Sequence, residues 1–258
     1  MPKKYRSVFI SDVHLGSRAA QADILCEFLK NNTCQTLYLV GDIIDFWKLR
    51  QSVYWQQSHS NVIRRILTAS KRGTSVKYVI GNHDETLRSW FSDIVLGNIE
   101  IANHFDHQLS NGKNLLVTHG DLFDGVVRNH KWLSILGDRA YTLLLWTNTW
   151  LNKFRSLFGQ DYYSFSGFLK TNTKQAVAFI TSFEKFLSDH AKEQGYTGVI
   201  CGHIHTPTIK AEETFVYMNT GDFCETVSAI VEKFDNTFDL LIWDDVQKQM
   251  TVKSSWTP

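Results

Sequence analysis

This chain of 258 residues has little that would tie it to a membrane, an oxidising compartment or a nucleic acid. Its three prolines and fifteen glycines are scattered, so no Pro-, Gly- or Ser-rich linker, low-complexity tract or internal repeat divides it. It reads as a single domain, 1–258, long enough to bury about 70–75% of the surface its unfolded chain would expose. The four cysteines, Cys26, Cys34, Cys201 and Cys224, form no CxxC pair. Reduced, buried thiols in a cytoplasmic protein are expected, and a structural zinc site is not. A net charge of +1 predicts no bulk attraction to long nucleic acid or acidic membranes, so any electrostatic preference must come from local patches. The longest apolar stretch, Tyr141 to Leu151, is interrupted by Thr142, Thr147, Asn148 and Thr149, too short and polar to span a bilayer. Met-Pro-Lys-Lys-Tyr-Arg runs directly into an apolar strand, so no secretory leader is expected.

The pattern that is present is α/β. Apolar, β-branched segments at 7–11, 35–40 and 76–80 predict buried strands. Helical spacing over 19–31 and 53–72 separates them. Strands alternating with helices at these lengths imply right-handed crossovers and a parallel sheet, with functional groups gathered at the carboxyl ends of strands. Asn111-Gly112 between two apolar runs predicts a hairpin. Beyond a strand at 198–201, alternating runs at 214–218, 226–231, 238–243 and 250–253 predict antiparallel strands of a second sheet. A two-sheet sandwich flanked by helices follows. Residues 122–175 are helical in spacing, dense in aromatics and interleaved with Arg and Lys, and predict a helical cap inserted over the site. Core filling accounts for most of those aromatics.

Five fragments carry metal-liking side chains at predicted strand ends: Asp12-Val13-His14, Gly41-Asp42, Gly81-Asn82-His83-Asp84, His119-Gly120-Asp121 and Gly202-His203-Ile204-His205. A lone His-x-His or Gly-Asp is usually incidental, but five in order at such positions are not. Asp12 and His14 share one side of an extended strand end. The two oxygens of Asp42 can bridge two ions, and Asn82 offers an amide oxygen. The assignment inferred places one divalent ion on Asp12, His14, Asp42 and His205. The second takes Asp42, Asn82, His119 and His203. Mixed nitrogen and oxygen ligation suits manganese, iron, zinc or cobalt, with manganese expected.

This ordered set resembles the calcineurin-like metallophosphoesterase superfamily, whose pattern is Asp-x-His, Gly-Asp, Gly-Asn-His-Asp/Glu, His and Gly-His-x-His. The resemblance covers residues 6 to 222 and implies a four-layer α/β/β/α sandwich. Ser11 to Gly16, Gly41 to Trp47 and His119-Gly120-Asp121 before a helical insertion are most similar to the UDP-2,3-diacylglucosamine pyrophosphatase-like branch, which acts in lipid A assembly. Enzymes of that branch acting on this lipid typically carry arginine where this chain has His83, so His83 retains the general superfamily arrangement.

A pair of metal ions is a device for hydrolysing phosphate esters. His83 is the candidate leaving-group acid, with Asp84 expected to orient its imidazole. Asp45 is either a support for the ligands or a salt-bridge partner, and Asp121 and Asp124 either support His119 or cap the insertion, with capping expected. Arg128, Lys170 and Lys174 are candidates for binding a substrate phosphate or uridyl group, against a plain reading as solvated helix charge. The function expected is a dinuclear-metal phosphohydrolase acting on a nucleotide-sugar lipid. A soluble cyclic-nucleotide or general phosphodiesterase is the rival, and a non-catalytic scaffold ranks last because no ligand is missing. The aromatic and basic insertion allows peripheral contact at the inner membrane face.

Overall fold

A computed structural model describes residues 3–89, 98–125 and 166–258, except for the side chains of 124, 125, 166–176 and 178. The chain divides into two compact units, one of Met1–Asp121 with Leu187–Pro258, the other of Leu122–Phe186. Arg128 and most of the expected cap lie outside the described residues.

The predicted alternation of strands and helices is present. Strand β1 (Lys3–Ile10) leads to helix α1 (Ala22–Asn31), then to strand β2 (Asn32–Val40). Helices α2 (Phe46–Gln51) and α3 (Gln57–Lys71) precede β3 (Ser75–Val79), and β4 (Ile99–Ala102) follows. β1 to β4 pair in parallel. The single helix expected over 53–72 begins later, at Gln57, and the short α2 ahead of it was not anticipated. α2 starts where the Asp45 side chain accepts a hydrogen bond from the Lys48 backbone at 2.8 Å.

β5 (His104–Gln108) and β6 (Asn114–Thr118) form the hairpin that Asn111-Gly112 predicts. Gly112 turns at φ +81°, a conformation that favours glycine. Then come α4 (Ser166–Glu193), β7 (Gly198–Cys201), β8 (Thr208–Ala211), β9 (Val216–Asn219), β10 (Ser228–Glu232), β11 (Phe238–Asp244) and β12 (Gln249–Trp256). The second sheet has the order β5-β6-β7-β9-β8. The last three strands do not join it, contrary to expectation. They extend the first sheet as β12-β11-β10-β1-β2-β3-β4, with β10 antiparallel to β1. The physical reason lies in the crossovers: β1-α1-β2 and β2-α3-β3 grow the sheet in one direction and leave the other edge of β1 unpaired. β10, buried at every position, fills that edge.

Alternation of side chains divides the core in two. Val8, Ile10, Leu37, Leu39 and Val76 pack with Leu25 and Phe28 of α1 and Val62 and Ile66 of α3. Phe9, Tyr38, Val40 and Val79 face the second sheet through Leu115, Val117, Ile200 and Met218. Each such side chain contributes about 1.5–3 kcal/mol by leaving water. Beyond the second sheet, Lys192 near the end of α4 pairs with Glu212 at 2.9 Å and lies 4.8 Å over the Phe215 ring. The layers are α/β/β/α. No helix among the described residues is long and apolar enough to cross a membrane.

Candidate metal centre

The five fragments follow β1, β2, β3, β6 and β7, all at carboxyl ends, and their side chains converge from both sheets. Three groups of donor atoms each lie within 4.8 Å of one another: Asp12, His14 and His205; Asp42, His119 and His203; and His14, Asp45 and His83. His205 Nε2 is 3.1 Å from Asp12 Oδ1, which is buried without a hydrogen bond. His14 Nε2 is 3.9 Å from the same oxygen. Asp42 Oδ2 lies between the first two groups, 3.3 Å from His119 Nε2 and 4.0 Å from His14 Nε2. Asn82 Oδ1 is 3.3 Å from His119 Nε2. Ligands about 2.0–2.2 Å from one ion stand roughly 3 Å or a little more apart, so these spacings and this donor set fit divalent cations.

Backbone shape aims the groups. Asp12, His14, Asp42, His203 and His205 have φ of 50°, 51°, 54°, 71° and 50°. Such left-handed residues cost about 1–3 kcal/mol each, and Asp and His tolerate them better than most side chains. Hydrogen bonds hold the strained turns: Asp12 N donates to Gly41 O at 3.0 Å, and His14 N to Asp42 O at 2.9 Å. His83 N donates to Asp42 Oδ1 at 2.8 Å and His203 N to Asp12 Oδ2 at 3.0 Å, so each carboxylate keeps its other oxygen for the site. The glycines of the motifs are explained by neighbours from other motifs. A Cβ on Gly41 would overlap the His119 ring, one on Gly81 the Asp42 carboxylate, and one on Gly202 the Asp12 carboxylate.

Several supports were not anticipated. The Val40 carbonyl, 2.9 Å from His119 Nδ1, leaves Nε2 as the atom facing Asp42. Asn219 Nδ2 donates to Gly202 O at 2.8 Å and steadies the Gly-His-x-His turn, and no sequence signal marked it. Asp45 is a support: its Oδ2 is 3.2 Å from His14 Nδ1 and its Oδ1 is 3.0 Å from His83 Nδ1. The second contact is oblique and falls outside hydrogen-bond geometry. Its spacing of three from Asp42 was the available signal.

Asp84 does not orient His83. It is fully buried and accepts from Gly81 N at 2.6 Å, Tyr78 Oη at 2.6 Å and Ile43 N at 2.9 Å. With its oxygens turned into the turn after β3, it holds the backbone, and Asp45 takes the place beside the imidazole. Asp121 pairs with Arg88 at 2.6 Å, and its charge is among those that raise His119. Lys170 and Lys174 are on α4, with side chains outside the described residues.

Electrostatics without metal reflect crowded carboxylates and imidazoles. Burial pushes Asp12 and Asp42 upward, but their histidine neighbours, His119 foremost, outweigh it and hold both carboxyls below their usual range. Burial would lower His205, yet the contact with Asp12 raises it to about 9. His119 is raised well above its usual value against burial, chiefly by Asp42 and then Asp12. His83 is also raised, because Asp45, Asp42 and Asp12 outweigh its burial. Burial and then the Asp42 charge lift Asp84 to about 6.

Comparison with known proteins agrees with this geometry. The family profile described as calcineurin-like phosphoesterase matches residues 5–207. UDP-2,3-diacylglucosamine hydrolase of Haemophilus ducreyi is 26% identical over 251 residues, covering 90% of this chain and 98% of that protein. The protein of the same name from Haemophilus influenzae strain PittGG is 28% identical over 247 residues, covering 88% and 94%. Among solved structures, the E. coli phosphoesterase YfcE aligns with a TM-score of 0.50 at 14% identity, covering 97% of this chain and 98% of its own, a likeness of fold. Motifs at strand ends, donor atoms at metal-ligand spacing and the profile match together establish that the chain belongs to the calcineurin-like phosphoesterase family of metal-dependent hydrolases.

Proposed function

We infer that the chain hydrolyses a phosphoanhydride or phosphodiester with two divalent ions, manganese by preference, and that its substrate is a UDP-2,3-diacylglucosamine-like nucleotide-sugar lipid. The carrying observation is Asp42 Oδ2 set between the imidazoles of His14 and His119, with Oδ1 tied back to the His83 backbone. Asp12, His14, Asp42 and His205 would hold one ion, and Asp42, Asn82, His119 and His203 the other. Bound there, the ions supply an activated water and Lewis-acid stabilisation of the phosphoryl oxygens.

The chain's own residues supply the rest. His83, whose charged form is favoured by the carboxylates around it, would hand a proton from Nε2 to the leaving oxygen as its bond to phosphorus breaks. A general acid of this kind contributes about 10²–10⁴-fold. Asp45 lies against the opposite nitrogen, and Asp84 fixes the turn from which His83 projects. Arg128, Lys170 and Lys174 are the proposed anion contacts. The lipid substrate is supported by the names of the relatives, and a cytoplasmic protein working at the inner membrane face is the localisation that goes with it. His83 itself favours a second reading, a general phosphodiesterase, since it keeps the superfamily's Gly-Asn-His-Asp arrangement.

A manganese-supplemented hydrolysis panel tests the assignment. Turnover of UDP-diacylglucosamine far above that of short nucleotide sugars, cyclic nucleotides and aryl diesters is expected. Activity confined to the small diesters would replace the first reading by the second.

A further inference from the structure

One exposed aromatic of the site has no role in ligand binding, yet it packs on the histidine assigned to proton transfer. Trp47, in α2, stands 4.2 Å from the His83 ring, centroid to centroid, at an interplanar angle of 35°. His14 meets the same imidazole edge-on at 4.5 Å and 90°. The His83 main chain is pinned on both sides. Its N–H donates to Asp42 Oδ1 at 2.8 Å, and its carbonyl accepts from Phe46 N at 3.1 Å. Nδ1 lies against Asp45 at 3.0 Å. Among the described residues, the other ring nitrogen, Nε2, makes no hydrogen bond or ion pair.

These contacts do not fix the ring equally. Backbone bonds place the Cα but leave the side-chain torsions open, and the terminal torsion of histidine has a broad profile. The Asp45 contact is oblique, so it is a weak brake on that rotation. The indole, tilted at 35° with its centroid 4.2 Å from that of the imidazole, resists it by direct contact. Trp47 belongs to neither core cluster and is 39% exposed, so the stack is not a by-product of filling the interior.

We propose that Trp47 is a positioning residue for His83, its indole holding the imidazole so that Nε2 faces the leaving oxygen of the substrate. This rests on His83 being the proton donor. Misplacing a catalytic group by about 1 Å can cost 10²-fold, and the effect must appear only where the leaving group needs a proton.

The test is a double-mutant cycle on the manganese-loaded enzyme with Trp47→Ala, Trp47→Phe, His83→Ala and the Trp47→Ala/His83→Ala pair. An alkyl phosphodiester and a nitrophenyl phosphodiester serve as substrates. Trp47→Ala is expected to lower kcat on the alkyl diester roughly 10–100-fold with KM within about twofold, and to leave the nitrophenyl diester within about threefold. Trp47→Phe restores most of the loss, and in the His83→Ala background Trp47→Ala adds nothing. A raised KM at unchanged kcat, multiplying losses in the double variant, or an equal loss on both substrates with a lowered melting temperature would each overturn the positioning role. A crippled His83→Ala beside an unaffected Trp47→Ala removes this inference and leaves the acid standing. A fully active His83→Ala removes both.

Discussion

Gly81→Ala is the sharpest probe of how tightly the centre is built. The methyl group would overlap Asp42 Oδ1 and stand 2.6 Å from the Asp42 backbone nitrogen, where real Cβ contacts stay above 3.0 Å. Gly81 has an ordinary backbone conformation, so the effect is one of space. The neighbour is a carboxylate held by the His83 amide at 2.8 Å and backed by the turn after β2, so it is not a flexible tip that swings away. Relief requires moving the shared carboxylate or the β3 turn by several tenths of an ångström. Overpacking of this kind costs about 1–3 kcal/mol of stability. Displacing the carboxylate proposed to serve both ions costs more: a loss of about 10²-fold in turnover, with weakened metal affinity. The assays are metal content by elemental analysis after desalting, melting temperature and hydrolysis of a nitrophenyl diester. A variant carrying two ions and turning over at the parent rate would refute the account of why glycine stands there.

Metal affinity should rise with pH, because the ions compete with protons on raised imidazoles. The step for His205 centres near pH 9, and titrating manganese into weakly buffered protein should release protons below it. In the metal-free chain the same raised group stabilises the fold fully below about pH 6.5, its unfolded value, and that contribution fades as pH rises through about 9. Melting curves of chelated protein across that window would contradict this by staying flat or rising. Asp45→Asn should weaken metal binding about 10–100-fold by loosening His14, measurable by competition with a chelating dye. Asp84→Ala strands the Gly81 and Ile43 amides and the Tyr78 hydroxyl, each costing about 1–3 kcal/mol, so denaturant unfolding should shift by several kcal/mol.

The candidate centre was legible in the chain because its donor groups come in short local units. Asp12-Val-His14 and His203-Ile-His205 each carry their spacing with them, and the glycines mark turns. The parallel half was readable for a similar reason: apolar runs and helical periods are local, and crossover handedness leaves few arrangements. Partner choice across long separations was not. Nothing local in 226–253 tells those strands to complete the open edge of β1 instead of joining β9, and nothing in Gly-Asn-His-Asp tells Asp84 to turn away from His83.

By itself, then, the order of residues determined which groups are available to hold cations, that they stand at strand ends, and the α/β character of the frame. Tertiary structure decided which carboxylate meets which imidazole. It put Asp45, not Asp84, beside His83, set Trp47 on that ring, and brought Gly41, Gly81 and Gly202 against His119, Asp42 and Asp12. Those pairings join residues from 36 to 190 positions apart in the chain, and their reason is packing: only when the two sheets close do these atoms compete for the same few ångströms.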